Sequence, residues 1–157
     1  MRLQLALNVR DLEAAIRFYS KIFGVSVNKR QPGYANFAID EPPLKLVLFE
    51  TPDAPERLNH LGVEVFADAD VEAATERLRS AGMDYEIKSE EVCCWANQNK
   101  VITTDPDGMM WEWYRVLGDS DTFWGPAVEP TCCTPDTMEE SRVESACCTP
   151  QATEDLR

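Results

Sequence analysis

Leu3, Leu5, Leu7 and Val9 alternate with Gln4, Ala6 and Asn8, the period of two expected of a strand with one buried face. The period then changes. Leu12, Ala15, Ile16, Tyr19, Ile22 and Phe23 recur at helical spacing, with Asp11 placed to cap the start and Gly24 placed to end it. Three strands are predicted next, at Val25 to Lys29, Tyr34 to Ile39 and Leu44 to Glu50, separated by Pro32-Gly33 and Pro42-Pro43. The same order begins again at His60. His60-Leu61-Gly62-Val63-Glu64-Val65 lies over Gln4-Leu5-Ala6-Leu7-Asn8-Val9. A helix capped near Asp70 carries Val71, Ala74, Thr75, Leu78 and Ala81 on one face and stops at Gly82. Strands near Met83 to Ile87, Val92 to Trp95, Val101 to Thr104 and Met109 to Val116 complete the copy, with Asp105-Pro106-Asp107-Gly108 as its last turn. Each copy reads βαβββ, so the chain carries an internal repeat. Two modules, at about 1–52 and 58–117, predict an α+β body whose curved sheets enclose a central cleft.

The pattern fades near Gly118. Residues 1–117 hold 19 acids against 13 Lys or Arg, while 118–157 hold nine acids against two Arg. These last 40 residues are rich in Pro, Thr, Glu and Cys and read as a mostly disordered tail. The whole chain is 44% hydrophobic, as an ordinary globular body requires, and that body has the size of one domain. A net charge of −13 disfavours nucleic acid and anionic membranes, both of which reward basic surfaces. The N-terminus turns polar too early for a signal peptide, and no run is long enough to span a membrane. A cytoplasmic location is expected.

The repeat also aligns chemistry. Gln4 and His60 take equivalent places on the first strands of the two modules, and equivalent places in a pseudo-twofold fold converge on its axis. Aligning Pro42 with Pro106 puts Leu48 opposite Glu112 on the last strands. Three of four such places then supply donors and the fourth is apolar, which leaves coordination positions open. An imidazole, a carboxylate and an amide oxygen with free positions suit a divalent metal such as Fe(II). His60 is the chain's one histidine, and Glu112 sits between Trp111 and Trp113, where an unpaired carboxylate is costly to bury. Alternation puts Met110, Glu112 and Tyr114 on one face of that strand.

All six cysteines occur as adjacent pairs: Cys93-Cys94, Cys132-Cys133 and Cys147-Cys148. Neighbouring cysteines bridge each other only through a strained ring, and nothing else points to an oxidising compartment. Reduced adjacent thiols suit one soft, thiophilic atom. In the tail, Cys132-Cys133-Thr134-Pro135 recurs 15 residues later as Cys147-Cys148-Thr149-Pro150, which favours selection for the pair and makes accessory metalloid binding there an expectation.

The run from Gln4 to Tyr19, Gln-Leu-Ala-Leu-Asn-Val-x-Asp-Leu-x-x-Ala-Ile-x-Phe-Tyr, and Asp105-Pro-Asp-Gly-x-x-Trp-Glu112 resemble the vicinal-oxygen-chelate superfamily of glyoxalases, extradiol dioxygenases and antibiotic-resistance proteins. With Cys93-Cys94, Asn59-His60-Leu61-Gly62-Val63-Glu64 and Pro32-Gly33-Tyr34-Ala35-Asn36-Phe37, residues 2 to 118 look more narrowly like its carbon–arsenic lyases, a branch also labelled cadmium-induced proteins. The resemblance implies an Fe(II)-dependent dioxygenase that uses O2 to release arsenite from methylarsenite and trivalent aromatic arsenicals. It implies Gln4, His60 and Glu112 as iron ligands and Cys93 with Cys94 as the arsenic-binding pair. The tail lies outside it.

Competing readings are a glyoxalase, against which Leu48 argues, an extradiol dioxygenase, against which Gln4 argues, and a non-catalytic binder of cadmium or arsenite. The expected partner is a small organoarsenical, with a homodimer left open.

Overall fold

A computed structural model describes residues 1–125. It contains β1 (Arg2–Val9), α1 (Leu12–Phe23), β2 (Lys29–Gln31), β3 (Tyr34–Ile39) and β4 (Leu44–Glu50), then β5 (Leu58–Val65), α2 (Asp68–Ser80), β6 (Glu86–Cys93), β7 (Ala96–Thr104) and β8 (Met110–Asp119). Each half is therefore βαβββ. The eight strands form one curled sheet in the order β2-β3-β4-β1-β5-β8-β7-β6. The halves join where β1 pairs antiparallel with β5, while β4 runs parallel to β1 and β8 parallel to β5. β1 and β5 also share the same order of buried and exposed positions along all eight residues. The repeat read from the side-chain pattern is thus a repeat in space.

The two faces of the sheet do different work. On the α1 side Val9, Phe37, Leu46 and Leu48 pack with Leu12 of the helix; on the α2 side Val65 and Val101 pack with Val71, Ala74 and Leu78 of the helix. Asp11 caps α1 by accepting a hydrogen bond from the Ala14 amide at 2.8 Å, and Gly24 ends the helix at φ +66°, a conformation that costs little without a Cβ. The other face holds Ala6, Tyr34 and Val47, with Phe49, Trp95 and Phe123 packed against them, and it lines the cleft.

Several sequence expectations need correction. The first module's second strand is only Lys29–Gln31, because Val25 and Val27 pack into the α1 core without pairing. Ile22 is 61% exposed and lies off the buried stripe. Helix α2 starts at Asp68 with Ala67 at its cap, so Asp70 stands in the first turn. The strands expected at Met83 to Ile87 and Val92 to Trp95 merge into β6, with a register shift between Lys88 and Glu91 and Glu90 at φ 52°. A bulge and a polar sequence are common at a sheet edge, where a strand has one neighbour, and they disguised the continuity. β7 begins at Ala96, five residues before the expected Val101. The body does not stop at residue 117: β8 runs to Asp119, and residues 120–125 fold back over the cleft. The expected disordered tail beyond that point, with Cys132, Cys133, Cys147 and Cys148, lies outside the described residues.

The register also relocates the fourth equivalent position. Ala6 pairs with Val47 and Gly62 with Glu112, and Ala6 and Gly62 stand equally two residues beyond Gln4 and His60. Val47, not Leu48, is the counterpart of Glu112. A one-residue slip moves a strand side chain to the other face, and Leu48 is fully buried in the α1 core. The place remains apolar. Leu48→Ala is expected to cost about 3 kcal/mol of stability through the cavity it leaves, read as a fall in the urea midpoint at constant m. Val47→Ala, on the cleft wall, should cost less than half as much; equal losses would overturn the assigned register.

Candidate metal and dithiol site

Three side chains meet where the two modules join. The Gln4 Nε2 group donates to Glu112 Oε1 at 2.7 Å and lies 3.0 Å from His60 Nε2; His60 Nε2 and Glu112 Oε1 are 3.3 Å apart. All three residues are buried, at 4%, 7% and 6% exposure. Gly62 makes this approach possible. A Cβ there would stand 3.0 Å from Glu112 Cγ and 3.3 Å from Gln4 Nε2, so any larger residue would push the donors apart.

Hydrogen bonds set the orientation of each group. Asn8 donates to the Glu56 carbonyl at 2.9 Å, so its Oδ1 faces the Asn59 amide, which donates to it at 2.9 Å. The Asn59 oxygen is left to accept from His60 Nδ1 at 2.7 Å. The imidazole proton therefore sits on Nδ1 and the Nε2 lone pair faces Gln4 and Glu112. Tyr114 donates its hydroxyl to Gln4 Oε1. Burial works against the Glu112 carboxylate, but the Lys100 charge and the hydrogen bond donated by Gln4 oppose it, and its pKa lies below the usual carboxylate value.

The residues fit a divalent metal. Ligands at right angles on bonds of about 2.1 Å lie about 3 Å apart, close to the separations among these three groups. A neutral imidazole and a carboxylate present lone pairs to one point, and rotation of the Gln4 amide exchanges its nitrogen for oxygen, completing a set of oxygen and nitrogen donors. His60 Nδ1 already has the outer-shell partner that ligating histidines need. Val47 contributes no donor, so the set is open on that side.

Cys93 ends β6 and Ala96, paired with it, starts β7, so Cys94 and Trp95 are the two central residues of a hairpin turn. Both lie in the left-handed region, at φ 59° and 64°. This is the conformation of a type I′ turn, normally taken by Asn-Gly. The turn brings Cys93 Sγ and Cys94 Sγ within 2.9 Å, and both are free cysteines. They line the same cleft of about 480 Å³ as Gln4, His60 and Glu112. The Cys93 thiol is held below the ordinary thiol range, first by its hydrogen bond with Cys94 and then, against burial, by the Lys100 charge. The Cys94 thiol is pushed up by Cys93 and by burial. The pair is thus asymmetric, with Cys93 the more acidic of the two thiols.

Sequence reading missed several cleft residues. Lys100 is 3% exposed and reaches Glu91 at 3.0 Å and Glu112 at 3.4 Å. Ala96, Gln98, Lys100 and Ile102 alternate into the cleft, a period-two signal hidden by reading Asn97-Gln98-Asn99 as a loop. Phe123 and Trp124 were assigned to the tail, yet both line the cleft. Phe123 accepts a backbone hydrogen bond from Cys94 at 2.8 Å and packs edge-on to Phe49 and Trp95. No local pattern marks them.

Residues 3–113 match the Glyoxalase/Bleomycin resistance protein/Dioxygenase superfamily. The chain belongs to this superfamily. It is 57% identical over 122 residues to the cadmium-induced protein CadI of Mycobacterium tuberculosis (strain ATCC 25618 / H37Rv), covering 78% of this chain and 80% of that one. To the trivalent organoarsenical cleaving enzyme of Thermomonospora curvata it is 53% identical over 135 residues, covering 85% and 89%. The Mn(II)-bound glyoxalase from Novosphingobium aromaticivorans superposes with a TM-score of 0.54 at 19% identity, covering 74% of this chain and 39% of that one, a likeness of superfamily fold.

Within this superfamily scaffold, Lys100 should set the reactivity of Cys93. The thiolate predominates above the folded pKa, and loss of a nearby cation favours the neutral thiol. In Lys100→Met the pH profile of Cys93 alkylation by iodoacetamide is expected to move to higher pH. A shift to lower pH, or none, would remove Lys100 from the thiol's environment.

Proposed function

We propose that this protein cleaves the carbon–arsenic bond of trivalent organoarsenicals as an Fe(II)-dependent dioxygenase, with Gln4, His60 and Glu112 holding the iron and Cys93 with Cys94 holding arsenic. The observation that carries this reading is a two-thiol pair with sulfurs 2.9 Å apart in the same cleft as the three donors. The names of the Thermomonospora curvata relative and of the trivalent organoarsenical cleaving enzyme from Bacillus sp. (strain MD1), 34% identical over 132 residues, support the substrate class.

Trivalent arsenic in methylarsonous acid carries one carbon and two exchangeable hydroxyls. The Cys93 thiol displaces the first hydroxyl and the Cys94 thiol the second, each hydroxyl leaving as water with the proton that its thiol gives up. The carbon–arsenic bond survives capture. Val47, Phe49 and Phe123 offer the carbon substituent an apolar wall and limit water around it. Iron, when bound, supplies activation of O2 at the positions that the apolar Val47 leaves free. Asn59 keeps His60 Nε2 facing inward, and the Tyr114 hydroxyl, able to donate to the amide oxygen or accept from its nitrogen, partners the end of Gln4 directed away from His60 in either amide orientation. Methylarsonous acid plus one O2 balances against arsenous acid plus formaldehyde, with no further reductant. A thiol-rich, reducing compartment such as the cytoplasm keeps the pair competent.

The test is arsenite and formaldehyde release from methylarsonous acid with added Fe(II), under air and under anaerobic conditions. Products are expected in equal amounts and only with O2. Cys93→Ser/Cys94→Ser is expected to lose about 100-fold in kcat/KM, and undiminished turnover would sink the arsenic assignment. Uptake that saturates at stoichiometric arsenical, with no oxygen consumed, would instead mark a sequestering protein.

Gly62→Ala tests the iron assignment separately. The added Cβ drives Glu112 and Gln4 apart, and displaced ligand support typically weakens metal binding by roughly 10- to 100-fold. Anaerobic Fe(II) titration should show that loss, with arsenical binding at the dithiol unchanged; full iron affinity would place the metal elsewhere.

A further inference from the structure

Beside the three donors the cleft carries a second polar group that the chemistry above leaves without a role. Arg2 stands two residues from Gln4 on β1, Glu64 of β5 pairs with Arg2, and Lys45 of β4 pairs with Gln4. Strand alternation turns all of them into the cleft. Glu64 and Lys45 are 5% and 9% exposed. One Glu64 oxygen accepts from Lys45 Nζ at 2.8 Å and the other from Arg2 Nε, so the carboxylate is fully engaged. The cations are not. Among the described residues Lys45 uses one of its three N–H donors and Arg2 one of its five, although Lys45 also lies 5.1 Å from the centre of the Tyr114 ring and Arg2 5.9 Å from that of Phe66.

Tyr34 adds another donor. Its hydroxyl accepts from Asn36 Nδ2 at 2.8 Å, and the Asn36 oxygen accepts from Asn28 at 2.9 Å, so the hydroxyl proton is left over. Burial pushes the Tyr34 pKa up, which keeps that proton in place. Asn36 pairs with Val47, one cleft position along β4 from Lys45. Cys94 packs against the cluster of Ala6, Tyr34 and Val47. Two residues of strand span about 7 Å, a length similar to that of a substituted benzene ring. Arsenic held by Cys93 and Cys94 therefore has Lys45 one aromatic ring away along an apolar wall, and a cleft of about 480 Å³ is sized for such a ligand, not for a methyl group alone.

We propose that Arg2, Lys45 and Tyr34 form a subsite for an anionic oxygen group, a carboxylate or phenolate, borne on the carbon substituent of an aromatic organoarsenical. The inference rests on the assignment of Cys93-Cys94 as the arsenic-binding pair. Two cations against one carboxylate leave one positive charge in surplus, and a singly charged substituent cancels it. Buried charge is tolerated where opposite charge offsets its desolvation, and a neutral substituent leaves both cations' donors unfilled.

The test is competition between 4-carboxyphenylarsonous acid and its neutral isostere, 4-carbamoylphenylarsonous acid. The full chain is loaded with Fe(II) under anaerobic conditions, with Cys132, Cys133, Cys147 and Cys148 changed to Ser so that Cys93-Cys94 is the remaining thiol pair. Retained arsenicals are released with excess dithiol and separated by chromatography. The acid is expected to be retained over the amide by about 10-fold, the scale of one charge-assisted hydrogen bond. Lys45→Met removes the surplus charge and should bring the ratio near one, whereas Glu64→Gln raises the surplus to two and should lift the ratio above its starting value. A starting ratio near or below one, or a ratio that neither substitution moves, would overturn the subsite while leaving the dithiol assignment standing. Benzoate is expected to bind the protein loaded with methylarsonous acid only at roughly millimolar concentration, because a separate molecule bears its own cost of immobilisation; micromolar binding would assign the subsite to a free carboxylate and overturn its role in substrate choice. Retention of neither arsenical, or undiminished retention of both after Cys93→Ser/Cys94→Ser, would overturn the dithiol assignment and the subsite with it.

Discussion

The antiparallel pairing of β1 with β5 is the contact on which the candidate site depends. It sets Gln4 beside Gly62 and Ala6 beside His60, so each module's first strand carries its donor to the seam between modules. The parallel pairing of β5 with β8 then brings Glu112 level with Gly62. Gly62 has no side chain to hold these two groups apart, and the polar chain from Asn8 through Asn59 points His60 into the same space. Fold and site share one set of contacts. A change that shifted β1 against β5 by one residue would turn Gln4 toward a helix.

Gln4, His60 and Glu112 were legible because strand alternation and an internal repeat are local signals that need no knowledge of distant contacts. Leu48 was misplaced for an equally physical reason. Alignment through Pro42 and Pro106 used turn residues, whereas equivalence is set by strand register, and the two differ by one residue. Lys100 and Phe123 were missed, and Tyr114 was placed on the face of Glu112 without its role, because these roles arise from partners far away in sequence, such as Tyr114 with Gln4 across 110 positions. The edge strand β6 was divided because its Lys-Ser-Glu-Glu stretch reads as a loop, and only pairing with β7 shows it to be a bulged strand.

Charge is distributed unevenly along the cleft. On one side Glu64 meets both Arg2 and Lys45, an anion with two cations, and its pKa is lowered although burial opposes the charge. On the other, Lys100 is shared by two carboxylates, Glu91 and Glu112. Buried ions are tolerated only where opposite charge offsets their desolvation. The Glu64 group has surplus positive charge, while the Lys100 group has surplus negative charge at the carboxylate that contacts His60 and Gln4. A divalent cation is electrostatically welcome at that second place and unwelcome at the first.

The hairpin turn explains how two neighbouring cysteines bring their sulfurs together. Successive residues of a strand point to opposite faces, so Cys93 and Cys94 in a continuous strand would hold their sulfurs apart. Placing Cys94 and Trp95 in the left-handed region breaks that alternation and brings the sulfurs together. Non-glycine residues there cost about 1–2 kcal/mol each. The surrounding backbone offsets this: the Ser120 amide and Lys29 both donate to the Trp95 carbonyl, and the Cys94 amide donates to Phe123. These restraints come from β2 and from residues 120–123, just beyond β8. The segment expected to be a tail is thus part of what holds the dithiol in shape, and the strained turn persists because two separated stretches of chain close on it.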